Sequence, residues 1–420
     1  MSVEAPVSNF ILSLHADPTL ATAAFLPMMA MCMFIESPVI DLLTTSTTLG
    51  ARRSAYPVLR RYAQLACLWV TLVHALVVFT PLYDLLALRA LNLQPDVART
   101  AHGPLMIMTC WAGFVGWRRY LQGLMIRNGE TRKIGVGTFL RMSTVVVSGL
   151  ILTKSTHLPG LVIVAIGLLA SVVAESLYIH WASRPTVALY LRTGHEDDDG
   201  SITLASVFKF HLPLVGTMLI VMSLTMVVTA ALGKGLDSVV SLAAWQLASS
   251  SVWLFRTITF ALPEVIISKF EGGKNAQFFF RFSTLVGGAC SAVMAVAVLF
   301  GIETIAFKEG YQAEPNVVKA ASLAFAICVA LPLVSAWLSY CRAALTAMHD
   351  TSSRFWAIIV DIAVLFGMLQ LGLLLRWPGV VNAGVATTTS LSVEALFLAH
   401  KWRVMRDRMQ GKNDLAHAES

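Results

Sequence analysis

The chain has 420 residues, of which 56% are hydrophobic and only 13% charged, and its mean hydropathy is +0.71. Soluble domains carry roughly 25% charged residues, so a solvent other than water must cover this surface, which excludes soluble enzymes, nucleic-acid-binding modules and disordered chains. The formal charge of +7 belongs to the loops of a polytopic membrane protein, where Lys and Arg gather on the cytoplasmic side, and does not point to a nucleic-acid partner.

A helix needs about 20 apolar residues to cross a bilayer core of ~30 Å. In chain order, windows of that kind predict spans at 19–48, 62–82, 97–117, 135–153, 158–181, 204–232, 236–262, 278–302, 316–341, 355–376 and 381–401. A shorter apolar fragment, Ser2 to Leu14, precedes them. No ten-residue alternation of the β-barrel kind appears. Numbering every second connection as cytoplasmic, from 51–61 onward, places 21 Lys and Arg inside, 7 outside and 3 within spans (Arg141, Lys209 and Arg256). That bias predicts a cytoplasmic C-terminus. The start Met1-Ser-Val-Glu-Ala-Pro6 has no charged n-region or cleavage site of a signal peptide.

The sequence repeats itself. Trp117-Arg-Arg-Tyr120 leads to Glu130-Thr131, and Trp337-Leu-Ser-Tyr340 leads to Asp350-Thr351, all 220 positions on. His180 and His400 keep the same offset, with Glu175 and Glu394 one residue short of it. A duplication separated by an even number of spans predicts two lobes of one topology, related by an axis along the membrane normal. The lobes are 1–183 and 204–401, with a cytoplasmic linker at 184–203 that holds the acidic run 195–199, and a tail at 402–420. Shifted back by 220, the span 204–232 falls mostly ahead of Met1. The expected native arrangement is therefore twelve spans in two sets of six, with Met1 placed too late and about 11.5 spans present.

Ionisable groups within spans face a protein interior or a watery cavity. Arg141 and Asp361, 220 apart, occupy equivalent places in the two lobes and are expected to face each other as an inter-lobe gate pair. Glu4 and Glu36 each stand two residues before a proline, Pro6 and Pro38, which would kink the helix and free a carbonyl beside a carboxylate, as at a proton or coupling-ion site. Arg256, Lys209 and Arg342 form the expected substrate-binding, anion-attracting set. Glu175 and Glu394 are secondary candidates, more simply read as helix-end pairs with His180, Arg184, His400 and Arg403. His74 and His102 read as satisfied core residues. The six cysteines, without CxxC spacing, read as small apolar side chains. No P-loop, nucleophile elbow or HExxH appears, so no catalytic residue, metal or cofactor is expected and the chain reads as a non-enzyme.

Phe34-Ile-Glu-Ser-Pro-Val-Ile40, Pro332–Thr346 with Arg342-Ala-Ala-Leu-Thr346, and the stretch from Asn382-Ala-Gly384 to Glu394, together with Met1–Pro6, resemble the multidrug/oligosaccharidyl-lipid/polysaccharide (MOP) exporter superfamily. Within it they are most similar to bacterial relatives of the progressive ankylosis (ANK) family. The resemblance implies an all-α membrane protein of two six-helix bundles, like the multidrug and toxic compound extrusion (MATE) transporters. It implies a secondary exporter or antiporter in a bacterial inner membrane, working by alternating access as a monomer on a small organic or polyvalent anion. A flippase of lipid-linked glycans is the alternative within the superfamily. A lipid-directed membrane enzyme or scaffold is the alternative outside it, and would need polar groups clustered at one interface. The basic tail 401–412 would contact membrane lipid or stop transfer.

Overall fold

A computed structural model describes residues 4–50, 54–193, 202–270, 275–348, 350 and 352–418. Arg52, Arg53, the acidic run 195–199, Lys274 and Thr351 lie outside the described residues. Those described are almost wholly helical, with no strand among them. Contacts divide the chain into two compact units, Val3–Gly233 and Lys234–Ser420.

The first unit holds α1 (Glu4–Ser13), α2 (Pro18–Ile40), α3 (Leu42–Leu49), α4 (Ala55–Phe79), α5 (Leu82–Asp84), α6 (Pro95–Ile107), α7 (Trp111–Arg127), α8 (Thr131–Ser155), α9 (Gly160–Ala182), α10 (Arg184–Thr193) and nearly all of α11 (Leu204–Lys234). The second holds α12 (Ser238–Thr257), α13 (Leu262–Lys269), α14 (Ala276–Phe300), α15 (Ile302–Ile305), α16 (Pro315–Ile327), α17 (Leu331–Ala347), α18 (Ser352–Leu374) and α19 (Gly379–Ala418).

The 220-residue repeat is written into the backbone. Asp17 and Asp237, which precede α2 and α12, both adopt left-handed φ, at 51° and 49°. Asn92 and Gln312 do the same before α6 and α16, at 53° and 47°. The turns ahead of that second pair, Leu85–Ala90 and Ala306–Gly310, are both π-helical. Pro95 and Pro315 open α6 and α16 at first-turn positions that need no amide donor. Because a left-handed backbone is costly away from glycine, its recurrence at non-glycine positions 220 apart marks matched turns, not coincidence.

Nine helices among the described residues are long and apolar enough to cross a membrane. They match nine of the eleven windows read from the sequence. The other two, 97–117 and 381–401, correspond to α6–α7 and to α19. The α6–α7 rod carries Arg118 and Arg119 in its interior, which lowers its hydropathy although it runs from 95 to 127 with only a 3-10 turn at Met108–Cys110.

Packing follows the apolar stripes. In α4, Leu59, Ala63, Val70, His74 and Val77 are buried, while Leu65, Leu68, Trp69, Leu72 and Leu76 are exposed. That inverts the usual amphipathic pattern: the outward stripe is as apolar as the inward one, as lipid requires. The first core gathers Val39, Leu42, Leu59, Tyr120, Leu124 and Ile179 from α2, α3, α4, α7 and α9. The second gathers Ile266, Phe279, Leu338, Leu345, Ala357 and Leu398 from α13, α14, α17, α18 and α19.

The contact boundary falls one helix later than the boundary the repeat predicts. α11, the expected opening span of the second lobe, is held to the first unit at both ends. At one end the His211 ring bonds Thr45 Oγ1 at 2.7 Å and the Pro38 carbonyl at 2.8 Å. At the other, Gly233 packs so closely on the Leu91 and Asn92 carbonyls that a Cβ there would lie 2.4 Å from the first of them.

Candidate functional site

Each unit buries its own ionisable cluster. In the first unit, α8 presents Arg141, α7 presents Arg118, and α9 presents Glu175. Glu175 is fully buried and Arg118 is 4% exposed. An Arg118 Nη group donates to Glu175 Oε2, and Gln122 Nε2 donates to Glu175 Oε1 at 3.3 Å. Arg141 Nε stands 2.8 Å from Glu4 Oε1 and 3.5 Å from Glu175 Oε2. Four side chains from α1, α7, α8 and α9 thus form one chain of alternating charge. The arrangement follows from helix packing: α8 lies along α9, and α1 lies against both.

Glu36 stands beside this cluster on α2. It is 1% exposed, and its Oε2 accepts the indole N–H of Trp111, which opens α7. Pro38 and the non-helical turn at Asp41 follow, where α2 gives way to α3. Glu36 is therefore the carboxylate beside a broken helix that the sequence leads one to expect. Pro6 stands on α1, whose described residues begin at Glu4.

In the second unit, Arg256 on α12 donates from Nε to Ser335 Oγ at 2.8 Å, with its guanidinium 5.2 Å from the Trp253 ring and 5.8 Å from that of Phe260. Among the described residues no carboxylate lies within ion-pair distance of it. Arg342 on α17 pairs with Glu394 on α19 at 2.5 Å. Asp361 on α18 is 6% exposed, with the Ser390 hydroxyl beside it and no cation within ion-pair distance among the described residues.

These positions correct several expectations. Arg141, expected to face Asp361, finds its acids inside its own unit, because α1 and α9 bring Glu4 and Glu175 to it. Glu175 and Glu394 do not pair with Arg184, His180, His400 or Arg403; each is buried against an arginine of the neighbouring helix. His180 instead accepts from Trp117 Nε1 at 3.4 Å. Arg342, expected in an anion path, is tied to Glu394. Lys209 lies on an exposed face near the start of α11. His74 and His102 donate to the Leu105 and Val78 carbonyls, as core residues should.

Arg118 is the residue that sequence reading misses, since the predicted span ends at Trp117 and the charge census puts Arg118 and Arg119 on the cytoplasmic side. The signal is present: the pair is flanked by aromatic residues and matches Trp337-Leu-Ser-Tyr340, which lies inside the span Pro315–Ala347. No group of three or more His, Cys, Asp or Glu among the described residues could hold a metal ion.

The whole chain superposes on known transporters. It is similar to a multidrug resistance MATE family transporter of the MOP superfamily in its inward-facing conformation, at 12% identity over 98% of this chain and 96% of that one, with a TM-score of 0.75. It is also similar to the lipid II flippase MurJ in an inward closed conformation, at 13% identity over 96% of this chain and 86% of that one, with a TM-score of 0.71. A third likeness is to a MOP superfamily transporter from Pyrococcus furiosus described as having a binding pocket of reverse polarity, at 15% identity over 98% and 95%, with a TM-score of 0.63. No protein-family model and no curated sequence matches the chain. The chain is an integral membrane protein with a MATE-like fold.

Proposed function

We propose that this chain is a secondary active transporter that works by alternating access, exporting a small organic or polyvalent anion in exchange for protons or another cation. The observation that carries this reading is the buried chain Glu4–Arg141–Glu175–Arg118, with Glu36 beside it, in a fold shared with transporters. Buried ionisable groups are costly unless paired, they mark ion or substrate paths in membrane proteins, and carboxylates at such sites exchange protons or bind cations. Glu36 is the coupling carboxylate in this scheme, Glu4 and Glu175 balance Arg141 and Arg118, and Trp111 orients Glu36. Arg256, without a carboxylate of its own, supports an anionic substrate. The inter-lobe gate role of Arg141 and Asp361 has no support from their neighbours. The resemblance to ANK relatives supports a polyvalent anion, and the Lys and Arg bias supports an inner-membrane protein with a cytoplasmic C-terminus. The transporter acts as a monomer in this scheme.

The second reading, a flippase of lipid-linked glycans, draws on the likeness to MurJ. Proteoliposomes separate the two. Efflux of citrate, pyrophosphate or ATP that depends on a pH gradient, and that loses this dependence in Glu36→Gln, supports the exporter. No flux of these solutes, together with translocation of a fluorescent lipid-linked oligosaccharide, supports the flippase.

A further inference from the structure

Arg119 has no acid of its own. It follows Arg118 on α7, and one residue along a helix turns a side chain by about 100°, so the two leave α7 on adjacent faces. Arg118 meets Glu175. Arg119 has no carboxylate within ion-pair distance among the described residues, and its buried Nε has no hydrogen-bond partner. Glu36 from α2, Asp41 from the α2–α3 turn, Glu175 from α9 and Arg141 from α8 lie within electrostatic reach.

The three acids are engaged elsewhere. Glu175 serves Arg118 and Arg141, Glu36 accepts from Trp111, and Asp41 accepts from Thr44 Oγ1 at 3.3 Å. A guanidinium presents five N–H donors in a fixed plane, a shape that matches two oxygens of a carboxylate or phosphate. Holding its Nε buried without such a partner is costly.

We propose that Arg119 is the seat of an oxyanion, a carboxylate or phosphate group, which binds in the first unit between α2 and α7 in competition with the carboxylate of Glu36. Neutralising Glu36 strengthens the seat, and ionising it weakens the seat, because both negative groups draw on the same guanidinium. An anion and the coupling carboxylate would then meet at one place. This consequence rests on the transporter reading; the binding itself does not. The oxyanion comes either from a water-soluble acid or from a lipid phosphodiester.

Titration calorimetry on the full chain in nanodiscs tests it, with citrate and inorganic phosphate as probes. One set of discs contains phosphatidylcholine alone and a second adds phosphatidylglycerol. We expect binding of at least one probe in the first set, tightened about tenfold by Glu36→Gln and weakened at least about tenfold by Arg119→Gln. Arg119→Lys, which keeps the charge and loses the planar fork, should weaken binding by less than Arg119→Gln. Probe heat suppressed by phosphatidylglycerol in wild type but not in Arg119→Lys identifies the lipid as the source and also supports the seat. Wild-type binding in both Arg119 variants, weaker binding in Glu36→Gln, or no binding of either probe overturns it. If Arg119→Gln does not fold, Arg119→Lys and Glu36→Gln decide the question. Binding that persists without any transport would instead remove the transporter reading and leave the seat intact.

Discussion

Glu175 of α9 accepts a hydrogen bond from Arg118 of α7 at a place where both side chains are almost wholly out of contact with solvent. Arg141 reaches the same carboxylate from α8. One carboxylate therefore answers two guanidiniums, and removing its charge strands Arg118 and leaves Arg141 with Glu4 alone. Glu175→Gln should destabilise the protein by about 3–5 kcal/mol, the range for breaking a buried ion pair. Thermal unfolding in detergent measures this. Arg118→Gln should cost a comparable amount, and the double variant less than the sum of the two, because the partners share one interaction. Additive effects would contradict the pairing.

His211 fixes one end of α11 to the α2–α3 turn. The Pro38 carbonyl can only accept, so Nε2 carries the proton and Nδ1 accepts from the Thr45 hydroxyl in the neutral ring. Tyr62 meets the ring edge-on, with centroids 5.5 Å apart. His211→Ala removes both bonds and leaves a part-buried carbonyl without this donor, a loss of about 1–3 kcal/mol. Hydrogen exchange should then rise in α3 and the first turns of α11, with α8 and α9 unchanged. Unaltered exchange in α11 would mean that other contacts hold it.

Two carboxylates outside the spans set an acid limb of stability. Burial alone would raise the Glu130 pKa, but hydrogen bonds from Lys133 at 2.7 Å and from Thr186 outweigh it and hold the carboxyl below its ordinary 4.5. At Asp350 burial likewise opposes, and the Ser353 hydroxyl and N–H with the Ser352 hydroxyl hold the group below its ordinary 3.8. A depressed folded-state pKa gives stability that is present above the unfolded value and lost as pH falls through the folded one. Unfolding temperature should thus be insensitive to these groups from about pH 7 to 5 and should fall below about pH 4. The Glu130→Gln, Asp350→Asn double variant should show a shallower acid limb, which a pH series of melting curves would reveal.

Gly123 lets α7 approach α3 closely. A Cβ at that position would lie 2.0 Å from Ser46 Oγ and 2.4 Å from the Leu43 carbonyl. The hydroxyl can rotate away; the carbonyl cannot. Gly123→Ala should cost about 1–3 kcal/mol through overpacking, read as a lower melting temperature, whereas Gly135→Ala, with open space around it, should leave stability unchanged or slightly improved.

Membrane class, nearly every span and the internal repeat follow from the order of the amino acids alone. Hydropathy fixes where a chain can sit in lipid, and the duplicated Trp, Tyr and His positions fix the register of the copies. Glu36 is legible for the same local reason, a carboxylate two residues before a helix-interrupting proline. The partners of Arg141, the engagement of Glu175 and Glu394, and the placement of Arg118 emerge only from the packed helices. Each depends on which faces of α1, α7, α8 and α9, or of α17 and α19, turn toward one another. A repeat offset names equivalent positions without saying which of them touch. Charge counting errs in the same way, since it puts Arg118 in a loop on type alone, whereas Glu175 from a helix some 57 residues away supplies the counter-charge that lets an arginine stay buried in α7.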